Sequence, residues 1–237
     1  MRMAVTLDRE FAAGLLKTFD DPGQHGVHLL FNEWWRYAPS EVIDKYVEDF
    51  QRVPQQKAFL QEHYFSDPLD LDALGGLPAG SVGRTYHDFI VLNGLEKNIA
   101  VNYRQFHDSL ARSGQLDRMP DELRYAIIRG FQIHDLLHVM TGYEATPRGE
   151  IALQAFCLAQ LRFPYFAMWM SVVTTRMTFL DPDTIVPIMD SITDGWNFGR
   201  RAQNIQVLKL EQMVERPLLD VQQEFGLLRP DALSLAA

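Results

Sequence analysis

Residues 120–150 read PDELRYAIIRGFQIHDLLHVMTGYEATPRGE, and the punctuation of this stretch decides the fold. Pro120 suits a helix start, because its missing N–H is one of the donors that a first turn leaves unpaired. Asp121 and Glu122 then complement the positive end of the helix dipole. Apolar residues recur at helical spacing as far as Met140, and Thr141-Gly142 is a stop signal. Thr146-Pro147 supplies a cap and a first-turn proline for the next helix, so two helices joined by a short link form an antiparallel αα-hairpin.

His134 and His138 stand at i and i+4, which places both imidazoles on one helix face about one turn apart. The same face holds Leu123, Ile127, Gly130, Phe131 and Leu137, so the imidazoles point into apolar surroundings. Asp135 lies on the flank nearest His138, where it either ligates or orients an imidazole. His138 falls one turn before the bend and Glu150 about one turn after it, so their side chains oppose each other across the hairpin. Glu150 shares its face with Leu153, Cys157, Leu158 and Leu161. A carboxylate on such a face is costly unless paired, and neutral imidazoles offer no counter-charge. A divalent cation does. Taken singly, each residue has a plainer reading, as a satisfied core histidine or as an acid that complements a dipole. Their convergence favours a metal held by His134, Asp135, His138 and Glu150. Nitrogen and oxygen donors suit zinc, iron, manganese or cobalt, with room for water or substrate.

Working outward, helical spacing dominates and sustained alternation is scarce, so the expected fold is all-α, a single multi-helix domain over residues 1–237 with the metal-binding hairpin buried in it. Helices are expected over 8–17, over 40–64 with a break near Pro54, and over 84–92, 96–109, 120–140, 146–175, 184–208 and 210–225. Asp20-Asp21-Pro22-Gly23 reads as a turn. Residues 67–83, rich in Pro, Gly and Asp, read as the longest loop, a lid or a hinge.

A formal net charge of −9 argues against a nucleic-acid surface, which draws its affinity from clustered Lys and Arg. The single cysteine, Cys157, excludes an internal disulfide framework and fits a reducing compartment. Residues 1–19 lack the apolar run of a secretory signal. The apolar region 151–180 is interrupted by Arg162, Pro164 and Arg176, short of the roughly 20 residues that cross a bilayer. A cytoplasmic protein, peripheral on the inner face of a membrane, is expected. His25, His28, His63, His87 and His107 lack comparable company and read as structural or solvated. Arg200-Arg201 offers an anionic head group a partner, although paired arginines are more often a solvated face. The run 163–173, with Tyr165, Phe166, Met168, Trp169 and Met170, reads as core or as the wall of a lipid tunnel.

These residues resemble the coenzyme Q (ubiquinone) biosynthesis protein 4 family, whose hallmark is His-Asp-x-x-His followed after eleven residues by Glu. Here that is His134, Asp135, His138 and Glu150. The likeness extends through Gly149-Glu150-Ile151-Ala152-Leu153, through Leu77-Pro78-Ala79-Gly80-Ser81-Val82-Gly83-Arg84-Thr85-Tyr86 and through Gly199-Arg200-Arg201-Ala202, and is strongest over 77–228. Val214-Glu215 departs from the Trp-Glu common in the family, and Cys157 stands where an acid is usual. The resemblance implies a peripheral membrane protein that binds a polyprenylated quinone precursor beside other quinone-biosynthesis proteins, with a homodimer left open. It further implies oxidative decarboxylation at C1 of a polyprenylated hydroxybenzoate. Asp135 and Glu150 would be the catalytic candidates, Asp135 as a ligand or general base. Arg200, Arg201, Tyr165, Met168 and Trp169 would be the substrate-side candidates. Two other readings compete: a non-catalytic lipid-binding scaffold that organises partner enzymes, and a metal-dependent phosphohydrolase, for which no further His and distant Asp are visible.

Overall fold

The computed structural model describes residues 8–21, 24–114 and 116–229. Its elements in chain order are α1 (Arg9–Asp20), α2 (Val27–Tyr37), α3 (Ser40–Gln51), α4 (Pro54–Glu62), α5 (Leu71–Gly75), α6 (Val82–Asn93), α7 (Glu96–Ile99), α8 (Tyr103–Ser113), α9 (Asp121–Thr141), α10 (Pro147–Leu161), α11 (Pro164–Phe179), α12 (Ile185–Arg201) and α13 (Leu218–Glu224), with 3-10 turns at Pro182–Thr184 and Leu210–Met213. No strand occurs among the described residues, and the chain is all-α. Pro22, Gly23 and the first seven residues, on which the turn and leader readings partly rest, lie outside the described residues.

The axis of the molecule is α9, buried on nearly every face, with α4, α6, α8, α10 and α13 packed around it. Its few polar side chains that are buried, Arg124, Arg129, His138 and Thr141, are each met by a polar partner, as the middle of a core requires. Gly142, at φ 73°, stops it in the left-handed region, with its N–H donated to the His138 carbonyl at 2.8 Å. Four residues later the Thr146 hydroxyl caps α10 by accepting from Gly149 N–H at 3.2 Å. Arg129, 1% exposed, sits midway along α9 and forms a two-pronged ion pair with Glu211, one prong being Nη2 to Oε2 at 2.7 Å. That pair ties the C-terminal region to the axis.

The most extensive helix pairing is α10 with α12, and it depends on glycine. A Cβ at Gly195 would lie 2.0 Å from the Ala152 carbonyl oxygen, and one at Gly199 would lie 2.5 Å from that of Phe156. The backbones therefore touch, and α10, which carries Glu150, has no freedom to slide.

Several expected boundaries move, each for a physical reason. The helix expected over 146–175 is two. Pro164 disfavours helical backbone at the residue before it, so Phe163 is extended (φ −82°, ψ 137°), and Arg162 closes α10 in the left-handed region at φ 53°. Glu150 and the aromatic run are thus on different helices, and the single helix expected to carry both is corrected; α11 instead folds back against α10. The helix α2 was not expected: it carries few propensity signals and is held by burial of Val27, Leu30, Phe31 and Trp35. Asn102 caps a fresh start at Tyr103, splitting the helix expected over 96–109. The helix expected over 184–208 ends at Arg201, and 210–225 is a 3-10 turn followed by α13. The expected lid or hinge at 67–83 is pinned. It contains α5, Ser81 caps α6, Gly83 N–H donates to the Val214 carbonyl at 2.8 Å, and Leu218 N–H donates to the Gly80 carbonyl at 2.8 Å.

Replacing Gly195 with alanine forces α10 and α12 apart, which is expected to cost about 1–3 kcal/mol. Thermal unfolding should show Tm lowered by about 2–4 °C per kcal/mol. An unchanged Tm would contradict the close approach.

Candidate metal centre

Both histidines descend from α9 and Glu150 from the first turn of α10, and the hairpin turns their side chains toward one point. His134 Nε2 lies 3.3 Å from Glu150 Oε2, and His138 Nε2 lies 3.1 Å from Glu150 Oε1. One donor atom from each residue falls within 4.8 Å of the others, the geometry of a cluster able to hold a metal ion. The two rings sit 4.9 Å apart at 75°. His138 is 1% exposed and stacked on Phe89 at 5.3 Å, whereas the His134 and Glu150 side chains are 30% and 36% exposed, so the site is closed on one side and open on the other.

The opposite ring nitrogens explain how the imidazoles are aimed. His138 Nδ1 is 3.0 Å from the Tyr143 carbonyl oxygen, which can only accept, so Nδ1 carries a proton and the lone pair available to a metal is the one at Nε2. That Nε2 is buried with no hydrogen-bond partner, facing a carboxylate oxygen. Two acceptors facing each other in a buried site need a cation between them. The residues therefore fit a divalent metal. His134 Nδ1 is held by Asp135 Oδ1 at 3.1 Å, the arrangement in which a carboxylate fixes an imidazole's orientation and basicity. Asp135 is outside the three-residue cluster, and its contact is with His134.

Without a metal, a proton takes the cation's place. Burial opposes charge on His134, but the carboxylates of Asp135 and Glu150 outweigh it and raise the imidazole to about 9. Burial likewise opposes the Glu150 carboxylate, and the two imidazoles outweigh it, taking it down to about 2.

Beside the cluster lies a cavity of about 660 Å³, within the range of small-molecule sites. His134, Asp135 and Glu150 line it, as do Phe131, Tyr165 and Trp169. Tyr165 and Trp169 line it from α11, not from the helix of Glu150. Met168 is half-buried and does not line it. Arg200 and Arg201 close α12, are exposed, and are likewise absent from its walls. His28, set aside as structural or solvated, does line it. Cys157 lines it too, and burial together with the nearby Glu150 carboxylate pushes its thiol up. Sequence reasoning missed Asn98, Tyr103, Gln154 and Gln206 as wall residues. Gln154 follows Glu150 by four residues on α10, a spacing that was available as a signal. Asn98, Tyr103 and Gln206 come from distant segments with no spacing to betray them.

The raised His134 sets a pH dependence. Metal must displace its proton below about 9, while Glu150 stays ionised above about pH 4, so affinity is expected to rise about tenfold per pH unit from about pH 6 to about pH 8 and to level off near 9. Competition titrations across that range check it, and a flat profile would contradict the assignment.

A family model described as coenzyme Q (ubiquinone) biosynthesis protein Coq4 matches residues 51–231. The chain is similar to the Bos taurus ubiquinone biosynthesis protein COQ4 homolog, mitochondrial, at 28% identity over 89% of this chain and 74% of that protein. It is 27% identical, over the same shares, to the Homo sapiens homolog. The Yarrowia lipolytica ubiquinone biosynthesis protein COQ4 is 26% identical over 81% of this chain and 68% of its own. A crystal structure of a Nostoc punctiforme protein, described as a ubiquinone biosynthesis protein, superposes with a TM-score of 0.72 at 20% identity, covering 94% of this chain and 100% of that one, a likeness that shows the fold alone. The matched span contains the whole hairpin with His134, His138 and Glu150, and the chain belongs to the coenzyme Q (ubiquinone) biosynthesis protein Coq4 family.

Proposed function

We propose that this protein acts in ubiquinone biosynthesis by holding a polyprenylated hydroxybenzoate with its ring at the His134–His138–Glu150 cluster, and that the C1 carboxylate is there replaced by a hydroxyl. The observation that carries this reading is one cavity lined both by His134 and Glu150 and by aromatic side chains of α11. A ring that bears polar groups suits the former residues, and a prenyl tail suits the latter.

In this reading His134, His138 and Glu150 hold a divalent ion of zinc, iron, manganese or cobalt, and their three donors leave coordination positions free on the cavity side. When bound, such an ion supplies Lewis acidity and, if it is iron, manganese or cobalt, open-shell chemistry with oxygen. Asp135 fixes the ring of His134 through Nδ1 and serves as its proton partner. The Tyr143 carbonyl does the same for His138 without a charge. Tyr165 and Trp169 exclude water from the tail and set the angle at which the ring arrives. Replacing the carboxylate releases carbon dioxide and removes two electrons from the ring, so the reaction requires an oxidant; with water as the source of the hydroxyl oxygen and molecular oxygen taking the two electrons and two protons to become hydrogen peroxide, the step balances.

Among the described residues no helix is long and apolar enough to cross a membrane. We place the work of the protein at a membrane surface, on the inner face, where a prenylated precursor is collected and handed to other quinone-biosynthesis proteins. Each buried methylene contributes about 0.8 kcal/mol, so the tail dominates affinity while the ring and the ion set orientation.

Purified protein is expected to contain one divalent metal per chain, lost in His134→Ala and in His138→Ala, and unchanged metal in both would refute the ligand set. Glu150→Gln should retain most affinity for a prenylated hydroxybenzoate while carbon dioxide release under oxygen falls to background. Trp169→Glu should weaken lipid binding and leave metal content intact. A fully active Glu150→Gln protein would sink the catalytic reading. Retained lipid binding with no carbon dioxide release from the wild type would favour the scaffold.

A further inference from the structure

The cavity at the metal centre has a neighbour. A second cavity of about 600 Å³ lies beyond it, walled by Tyr46, Phe50, Leu123, Leu161 and Pro164 together with four charged and four amide side chains. The same helices build both. Ala126 and Ile127 of α9 face the first, and Leu123, one turn earlier, faces the second. Cys157 of α10 faces the first, and Leu161, one turn later, faces the second. Among the described residues Phe163 alone belongs to both walls.

Phe163 is the residue whose extended backbone breaks α10 from α11, so the partition stands at the break itself. Its ring is 1% exposed and meets Phe31 at 5.8 Å, Phe50 at 6.1 Å and Phe166 at 6.1 Å. All three contacts are apolar and none is a hydrogen bond, so displacing this one side chain would leave no polar group unpaired. The charged residues at the second cavity, Lys45, Asp49, Arg52 and Arg162, are all exposed, so their charges stay in water.

Building on the polyprenyl reading above, we propose that the two cavities are one tunnel divided by Phe163, which swings aside for the distal part of a long tail. The first cavity then holds the ring and the proximal prenyl units, and the second holds the units beyond them. Phe163 discriminates by tail length: a short tail leaves it in place, and a long tail gains the second cavity by displacing it.

The test uses the full-length protein and a series of prenylated 4-hydroxybenzoates of increasing tail length, with dissociation constants measured by tryptophan fluorescence and checked by calorimetry. Val53, 38% exposed at the start of α4, lines the second cavity, and Val53→Trp plugs it from the surface. Val53→Phe is the milder plug, and unchanged metal content and Tm confirm that each variant is folded. Wild-type affinity should rise steeply with each added unit. Val53→Trp should weaken the long-tailed ligand by more than about tenfold, the loss of a few buried methylenes, and the short-tailed ligand by less than about twofold. Phe163→Ala should strengthen long tails selectively, and Val53→Trp placed in that background should cancel the gain. Undiminished long-tail affinity in both plugged variants would overturn the divided tunnel and leave the ligand reading standing. Wild-type protein that binds no member of the series would overturn the ligand reading and the tunnel with it.

Discussion

A carboxylate that faces two imidazole lone pairs cannot rest in a half-buried site without a positive charge among them, and the arrangement of this molecule depends on that constraint. Glu150 is brought to His134 and His138 by the turn between α9 and α10. Gly142 takes the left-handed conformation, Thr146 caps, and Pro147 begins a helix whose fourth residue is Glu150. The surroundings hold the three groups in place: Phe89 against one ring, Asp135 and the Tyr143 carbonyl on the outer nitrogens, and the glycine contacts of α12 behind α10. Where no cation is bound the constraint remains, and a proton on His134 takes the role.

The cavity follows from a second constraint, the proline at 164. Had α10 and α11 been one rod, the aromatic run would have pointed away from the hairpin over most of its length. The break returns α11 along α10, so that Tyr165, Phe166 and Trp169 face the same space as Glu150. The core is continuous around this space, drawing on α2 and α3 as well as on the axis. The apolar surface that stabilises the fold therefore also forms the wall of the site.

Residues 120–150 were legible because each of their signals is local: a proline, two acids, a glycine, a threonine cap and an i, i+4 pair of histidines all act within a turn of where they stand. The all-α class and the meeting of His134, His138 and Glu150 follow from those signals. Signals that act over distance were not legible. The helix α2 owes its existence to what Phe31 and Trp35 bury against, and residues 67–83 owe their order to hydrogen bonds with residues about 130 positions later. Arg200 and Arg201 carry a suggestive chemistry that the packing of α12 turns outward, while Tyr103 and Gln206 carry no motif and are brought to the cavity by the fold. The double break at Arg162 and Phe163 was readable in principle from Pro164, and the apolar continuity of the stretch concealed it.

The central claim is that two imidazoles and one carboxylate, with no sulfur, hold the ion. X-ray absorption at the metal edge of the purified wild-type protein tests it most directly. The account predicts a first shell of light atoms at about 2.0–2.2 Å, with the outer scattering of two imidazole rings. A scatterer at about 2.3 Å, the distance of a thiolate, would move the metal to Cys157 and contradict the account, as would a first shell without imidazole.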